Sequence, residues 1–222
     1  MNNPTDNMLG IFAKQPIAGQ VKTRLARDTS AEFALRVAEA CLHDSLDRLA
    51  AVQATRVIVY APPSWSTYFW RDGFEAVPQG DGDLGARLQR FFAVARSRGY
   101  QHVVVVGSDS PTLPSVYLEQ AFAALATHDV VVGPAFDGGY YLIGSSIESL
   151  TMFDDIPWST SKVLEATISR LADARLALLP PWYDIDTVDD WAMLRGHVLA
   201  LRRTGVDPGV PRLERLIREE HP

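Results

Sequence analysis

Apolar residues fall along this chain in short β-branched runs, separated by longer stretches with helical spacing. The runs at 8–13 (MLGIFA), 55–61 (TRVIVYA) and 102–107 (HVVVVG) read as strands, because β-branched side chains suit a pleated, half-buried surface. HVVVVG is continuous rather than alternating, which predicts a central strand buried on both faces. The stretch at 129–144, DVVVGPAFDGGYYLIG, predicts a strand, a turn at Asp137-Gly138-Gly139 and a second strand. FEAVPQ at 74–79 reads as a weaker strand, and RLALLPPWYDID at 175–186 as a late strand running into an acidic turn. Between the strands, Phe33, Val37, Cys41, Leu42 and Leu49 recur at helical spacing behind a Thr29–Glu32 capping box. Further helices are expected over 64–72, from about 84 to 98, from Pro114, over 161–174, behind a Thr187–Asp190 capping box, and beyond Gly205. Strands and helices alternate, so the pattern predicts an α/β fold.

Composition narrows this picture. With 222 residues, 47% hydrophobic and 22% charged, the chain suits one α/β domain, 1–222, with the polar residues 1–7 expected to lack order. A net charge of −6 and a pI near 5.3 argue against a nucleic-acid or membrane surface, either of which needs a basic field. The single cysteine, Cys41, excludes an internal disulfide and points to a reducing, cytoplasmic setting. The first apolar run is too short for a signal peptide or a spanning helix. The five histidines are scattered without zinc-ligand spacing. No Gly-x-Ser-x-Gly elbow, no Gly-x-Gly-x-x-Gly turn at the first strand and no Walker lysine motif is present, so hydrolase, dinucleotide and ATPase readings fail. Trp65, Phe69 and Trp70 read as packing, since only Arg71 interleaves with them.

The candidate chemistry starts at the first strand. GIFAKQPIAGQVKTRL, 10–25, runs from that strand through a loop holding Pro16 and Gly19 toward a helix, and carries Lys14, Lys22 and Arg24. A flexible basic loop between strand and helix suits a pyrophosphate-bearing ligand. GDGDLGARL, 80–88, makes a Gly-rich helix entry at Gly82 and Asp83, which serves either as a plain turn or as a close approach to a base or sugar; Arg87 faces a ligand or solvent. Asp109, in the Ser108-Asp109-Ser110-Pro111 stretch after the central strand, stands where open α/β sheets gather ligands, and is favoured to hold Mg²⁺ or Mn²⁺ over merely capping the next helix. Asp137 belongs to a hairpin turn that can also hold substrate hydroxyls. Asp184 and Asp186 are either solvated helix-entry charges or the completion of the site begun by Asp109.

Five motifs in order, AKQPIAGQVKTRL, GDGDLGARL, VVGSDSPTLP, GPAFDGGYYLIG and YDIDTVDDW, resemble the bacterial rSAM/selenodomain-associated transferases, the arsenosugar-biosynthesis glycosyltransferase-like family. More remotely, the basic loop and the Asp-x-Asp-Thr ending resemble phospholactate and molybdenum-cofactor guanylyltransferases. The resemblance implies the nucleotide-diphospho-sugar transferase (GT-A) fold, a three-layer α/β sandwich with a mostly parallel mixed sheet. It implies that Lys14, Lys22 and Arg24, with the Gly19 loop, contact phosphates, and that Gly82, Asp83 and Arg87 line the nucleotide or sugar region. It further implies that Asp109 is the principal metal ligand with Asp186 its distal partner, Asp184 being weaker, and that Asp137, Tyr140 and Trp158 face the acceptor. The family favours glycosyl transfer from a nucleotide sugar to a small-molecule acceptor, with Asp137 as base beside Asp109, Lys22 and Arg24. Three cations in one loop instead favour nucleotidyl transfer, in which a nucleoside triphosphate releases pyrophosphate. A nucleotide-binding module without catalysis is the third reading, disfavoured by carboxylates beside phosphate. Base, sugar, acceptor and oligomeric state leave no pattern in the sequence.

Overall fold

A computed structural model describes residues 6–65, 67–147, 150–171 and 173–220. Seven strands form one sheet: β1 (Asn7–Lys14), β2 (Thr55–Ala61), β3 (Glu75–Pro78), β4 (His102–Gly107), β5 (Val130–Pro134), β6 (Tyr140–Ser145) and β7 (Leu176–Leu178). Their spatial order is β3-β2-β1-β4-β6-β5-β7. Every pairing is parallel except the two made by β6, which runs against β4 and β5. The helices are α1 (Thr23–Asp28), α2 (Ala31–Leu49), α3 (Leu84–Ser97), α4 (Ser115–Ala124), α5 (Val163–Ser169), α6 (Val188–Arg203) and α7 (Pro211–Glu220). This is the expected mostly parallel mixed α/β sheet of the nucleotide-diphospho-sugar transferase (GT-A) type.

Strand periodicity divides the core. Leu9, Ile11, Ile58, Tyr60, Val104 and Val106 face α2 and α4, whereas Met8, Val57, Val59, Val103 and Val105 face α3 and α5. Gly10 belongs to the second face, where a Cβ would stand 2.4 Å from the Phe91 ring, so glycine lets α3 approach the sheet. Helices α1, α6 and α7 pack against the outer side of α2 around Leu25, Cys41, Trp191 and Leu213. Cys41 is fully buried there, as expected of a core residue. Among the described residues no helix is long and apolar enough to cross a membrane.

Several local expectations are corrected. The N-cap of α2 is Ser30, which accepts from Phe33 N at 3.1 Å; Thr29 instead ends α1 and donates to the Leu25 carbonyl at 2.7 Å. A six-residue helix intervenes here, and its C-terminus uses the residue that the capping-box pattern assigns to the next helix. Within the segment expected to be helical over 64–72, the described residues form a 3₁₀ turn at Pro63–Trp65 and a further turn at 67–69 instead. Phe69 packs on Tyr60 with ring centres 5.3 Å apart, but Trp70 is 78% exposed, against the packing expectation; the Trp65 side chain lies outside the described residues. Helix α5 starts at Val163 rather than 161, where Thr160 Oγ1 donates to the Pro157 carbonyl and accepts from Lys162 N, and it ends at Ser169 rather than 174. Asn7 already pairs in β1, so order begins before residue 8; residues 1–5 lie outside the described residues. The Thr187–Asp190 capping box forms reciprocally at the start of α6.

Candidate functional site

Strands β1 and β4 lie side by side and parallel, but the chain leaves β1 toward β2 and leaves β4 toward the opposite half of the sheet. Their carboxyl ends therefore border the crevice in which open α/β sheets take ligands. Lys14 ends β1 and Asp109 follows β4, so both stand at this crevice.

The loop after β1 returns to the site through Lys22. Its backbone is left-handed, with φ 44° and ψ 47°, a conformation that non-glycine residues adopt rarely and mostly where surrounding structure holds them. Its side chain is only 3% exposed. The ammonium donates to Asp109 Oδ1 at 2.6 Å and to the Ile185 carbonyl, and lies 3.5 Å from Asp186 Oδ1. Arg24 Nη2 binds the other oxygen of Asp186 at 2.6 Å. Ile185 N donates to the Asp109 carbonyl at 3.0 Å, which ties the loop after β4 to the loop before α6. Burial pushes the Lys22 pKa down, but the negative charges of Asp109 and Asp186 outweigh it and hold the group well above its ordinary value. Asp184 is pushed up to about 7, first by burial and then by Asp186, Asp137 and Asp109.

Two cavities meet at Asp109. The first, of about 700 Å³, is walled by Lys14, Lys22, Gln79, Gly82, Asp83 and Arg87. The second, of about 710 Å³, is walled by Asp137, Tyr140, Trp158, Thr160 and Asp184. Arg24, Leu84, Asp109, Trp158 and Ser159 border both. Of the residues named from the sequence, only Gly19 stands outside both walls and Asp186 borders the first alone. Gly19 has φ 75° and supplies the loop's turn, with open space around a Cβ, so its contribution is conformational.

Several candidates carry structural duties. Asp83 is the N-cap of α3 and accepts from Ala86 N at 2.8 Å. Asp137 Oδ1 accepts from Gly139 N at 2.8 Å and so holds its own turn. Tyr140 lines the second cavity, and its hydroxyl is buried. Asp109 does not cap α4, whose N-cap is Pro114 without a side-chain bond. Lys22 and Arg24, assigned to phosphates from the sequence, pair here with Asp109 and Asp186.

Gln79 is a site residue that sequence reasoning missed. Its buried amide donates to the Ala13 and Val59 carbonyls at 3.2 and 3.0 Å, and its Oε1 accepts from Arg87 Nη1 at 3.0 Å. Arg87 Nε also donates to the Gly82 carbonyl at 2.9 Å, so Gln79 and Gly82 fix this guanidinium at the first cavity. The one available signal was position, since Gln79 directly precedes the Gly-Asp-Gly-Asp run. Ser159 was also missed; it borders both cavities with φ 64°.

Asp109 and Asp186 offer hard oxygen donors of the kind Mg²⁺ and Mn²⁺ use. Among the described residues no group of three or more His, Cys, Asp or Glu side chains converges as a ligand set. An ion held by these two carboxylates would take the rest of its shell from substrate phosphates and water, which is the usual habit of Mg²⁺.

A solved relative, a candidate nucleotide-diphospho-sugar transferase from Desulfovibrio desulfuricans G20, is 31% identical, with 97% of this chain and 98% of that chain covered and a TM-score of 0.85. A cytidylyltransferase from Leptospira borgpetersenii serovar Hardjo-bovis shares the fold at 12% identity, 97% and 95% coverage and a TM-score of 0.58. Rv0371c of Mycobacterium tuberculosis H37Rv, solved as a complex with manganese, shares it at 17% identity, 84% and 97% coverage and a TM-score of 0.52. No curated protein sequence matches the chain. The model of the family "Uncharacterized protein conserved in bacteria (DUF2064)" matches residues 45–160, a span holding Gln79, Asp109 and Trp158 but neither Lys22 nor Asp186. By that match over half of its length, this chain belongs to the bacterial DUF2064 family.

Proposed function

We propose that this protein is a divalent-metal-dependent transferase, built as one nucleotide-diphospho-sugar transferase-like domain, that moves a glycosyl group from a nucleotide sugar to a small-molecule acceptor. The observation that carries the choice is the charge of the second cavity. Its walls hold Asp109, Asp137 and Asp184, and their one cation, Arg24, is already bound to Asp186. A phosphorylated acceptor, which nucleotidyl transfer to a sugar phosphate requires, would meet Asp137 and Asp184 in the part of this wall away from Asp109, with no lysine or arginine beside them to spare. A neutral hydroxyl acceptor meets hydrogen-bond acceptors instead. The resemblance to the rSAM/selenodomain-associated transferases supports the same choice.

In this reading the nucleotide lies in the first cavity, with Lys14 and Arg87 toward its diphosphate. Asp109 and Asp186 hold Mg²⁺ or Mn²⁺; manganese is bound by Rv0371c, which shares the fold. The bound ion supplies stabilisation of the charge that grows on the departing phosphate oxygens. Asp137, whose Oδ2 is not used by the turn, takes the proton of the acceptor hydroxyl. The acceptor oxygen forms the new bond to the anomeric carbon, and the bond to the diphosphate breaks, its electron pair leaving with the nucleoside diphosphate. Trp158, at the border of both cavities, packs beside the transferred sugar.

One observation favours nucleotidyl transfer as a second reading: Lys14 is exposed in the first cavity, so a cation remains for a triphosphate. Incubation with Mg²⁺, a panel of nucleotide sugars and nucleoside triphosphates, and small polyol acceptors separates the two. Released nucleoside diphosphate with a glycosylated acceptor supports the proposal. Released pyrophosphate overturns it in favour of the second reading.

A further inference from the structure

The three oxygens around Lys22 Nζ, from Asp109, Ile185 and Asp186, come from two loops distant in sequence and match the three donors of an ammonium. The amine is thus buried between the two carboxylates to which the proposed function gives the metal. We infer that Lys22 is the built-in counter-ion of that site. Without metal its ammonium holds Asp109 and Asp186 together, and a divalent ion and the ammonium occupy the carboxylates in turn. The inference rests on the metal reading of Asp109 and Asp186.

Three observations carry it. First, the ammonium and a divalent ion need the same oxygens, and the charge of one repels the other across so short a gap. Second, Asp186 has no oxygen to spare, because Oδ1 faces Lys22 and Oδ2 is held by Arg24. Asp109 differs: Oδ1 is bound and its side chain is 51% exposed, so an arriving ion meets Asp109 first. Third, Lys22 also lines the first cavity, so an ammonium released from Asp109 moves toward the space assigned to phosphates. The device keeps the carboxylates neutralised when the site is empty and gives the nucleotide a cation when the metal arrives.

The test uses the full chain with Mn²⁺ as probe, in the absence of nucleotide, with bound ion read by electron paramagnetic resonance. Lys22→Met removes the ammonium while keeping an unbranched side chain of similar length. The expected result is Mn²⁺ affinity at least tenfold above that of the unsubstituted protein, lost again in the Lys22→Met/Asp109→Asn double variant. Equal or weaker affinity overturns the inference. A second measurement needs no substitution. The chain has three lysines, Lys14, Lys22 and Lys162, of which Lys14 and Lys162 are exposed. Acetylation of Lys22, followed by peptide mass spectrometry, is expected to rise at least fivefold in saturating Mn²⁺ while Lys14 and Lys162 stay constant; an unchanged Lys22 overturns the inference. The two failures are distinguishable. If Mn²⁺ binds both proteins equally, the counter-ion role fails and the metal reading stands. If neither protein binds Mn²⁺ and turnover needs no metal, both fail.

Discussion

The ammonium of Lys22 and the carboxylate of Asp109 meet at 2.6 Å across 87 positions of sequence. The contact joins the loop after β1 to the loop after β4, and through the Ile185 carbonyl to the loop before α6. Asp109 anchors Lys22 and borders both cavities, and one substitution tests it in both respects.

Asp109→Asn keeps the shape of the side chain and removes its charge. Lys22 then keeps the Ile185 carbonyl and the more distant Asp186. Because Asp109 is half exposed, the expected loss of stability is about 1–2 kcal/mol, less than for a fully buried pair. Thermal denaturation should show a folded protein with Tm lowered by roughly 2–8 °C, and metal-dependent transfer should be abolished. Undiminished turnover would remove Asp109 from the mechanism.

Gln79→Leu tests how Arg87 is positioned. The substitution removes two donors to backbone carbonyls and the acceptor that holds Arg87 Nη1. A cost of about 1–3 kcal/mol is expected, together with weaker nucleotide binding by calorimetry. Lower stability with unchanged nucleotide affinity would make Gln79 a purely structural residue.

Two glycines with positive φ should respond unequally to alanine. At Gly138, with φ 88°, a Cβ would stand 2.2 Å from the Ser161 carbonyl oxygen, in the wall of the second cavity. At Gly19, with φ 75°, nothing lies within 4 Å. Gly19→Ala therefore carries only the backbone cost, on the order of 1 kcal/mol. Gly138→Ala is expected to cost clearly more in chemical denaturation and to impair acceptor use; equal costs would reject the close approach.

Thr112 donates to the Tyr183 hydroxyl at 2.9 Å, and Tyr183 donates in turn to His197 Nδ1 at 2.8 Å. Burial lowers the His197 pKa, so the fold favours the neutral ring. The unfolded chain, titrating near 6.5, then binds more protons than the native state just below that pH. The contribution of His197 is full above pH 6.5 and declines as the pH falls through the window beneath it. His197→Asn keeps an acceptor for Tyr183 but does not titrate. Its Tm should lose less than that of the unsubstituted protein between pH 7 and 5, and parallel curves would contradict the assignment.

Cys41 is fully buried and its thiol is pushed up to about 12, chiefly by burial. An aromatic disulfide reagent at pH 8 should leave it unmodified in the native protein and label it promptly in denaturant. Prompt labelling of the native protein would show that the helices around α2 open readily.

The sequence by itself determined what local pattern can decide. Strand β2 falls at 55–61 and β4 at 102–107 as the β-branched runs predict, since burial on a sheet selects those side chains residue by residue. The Thr187–Asp190 box is equally local, with both partners within one turn of α6. The α2 cap was misplaced by one residue because two helix ends compete for Thr29 and Ser30, a contest that spacing alone does not record. The loop of Lys14, Lys22 and Arg24 was legible as basic chemistry, and Asp109 and Asp186 as acidic chemistry. Their pairing was not, because an ion pair needs proximity, and proximity across 87 or 162 positions is set by strand order and helix packing. Only the tertiary structure decided that the basic loop's charge is spent mainly on the protein's own carboxylates: Lys22 is buried, and a buried ammonium must be matched by the oxygens around it.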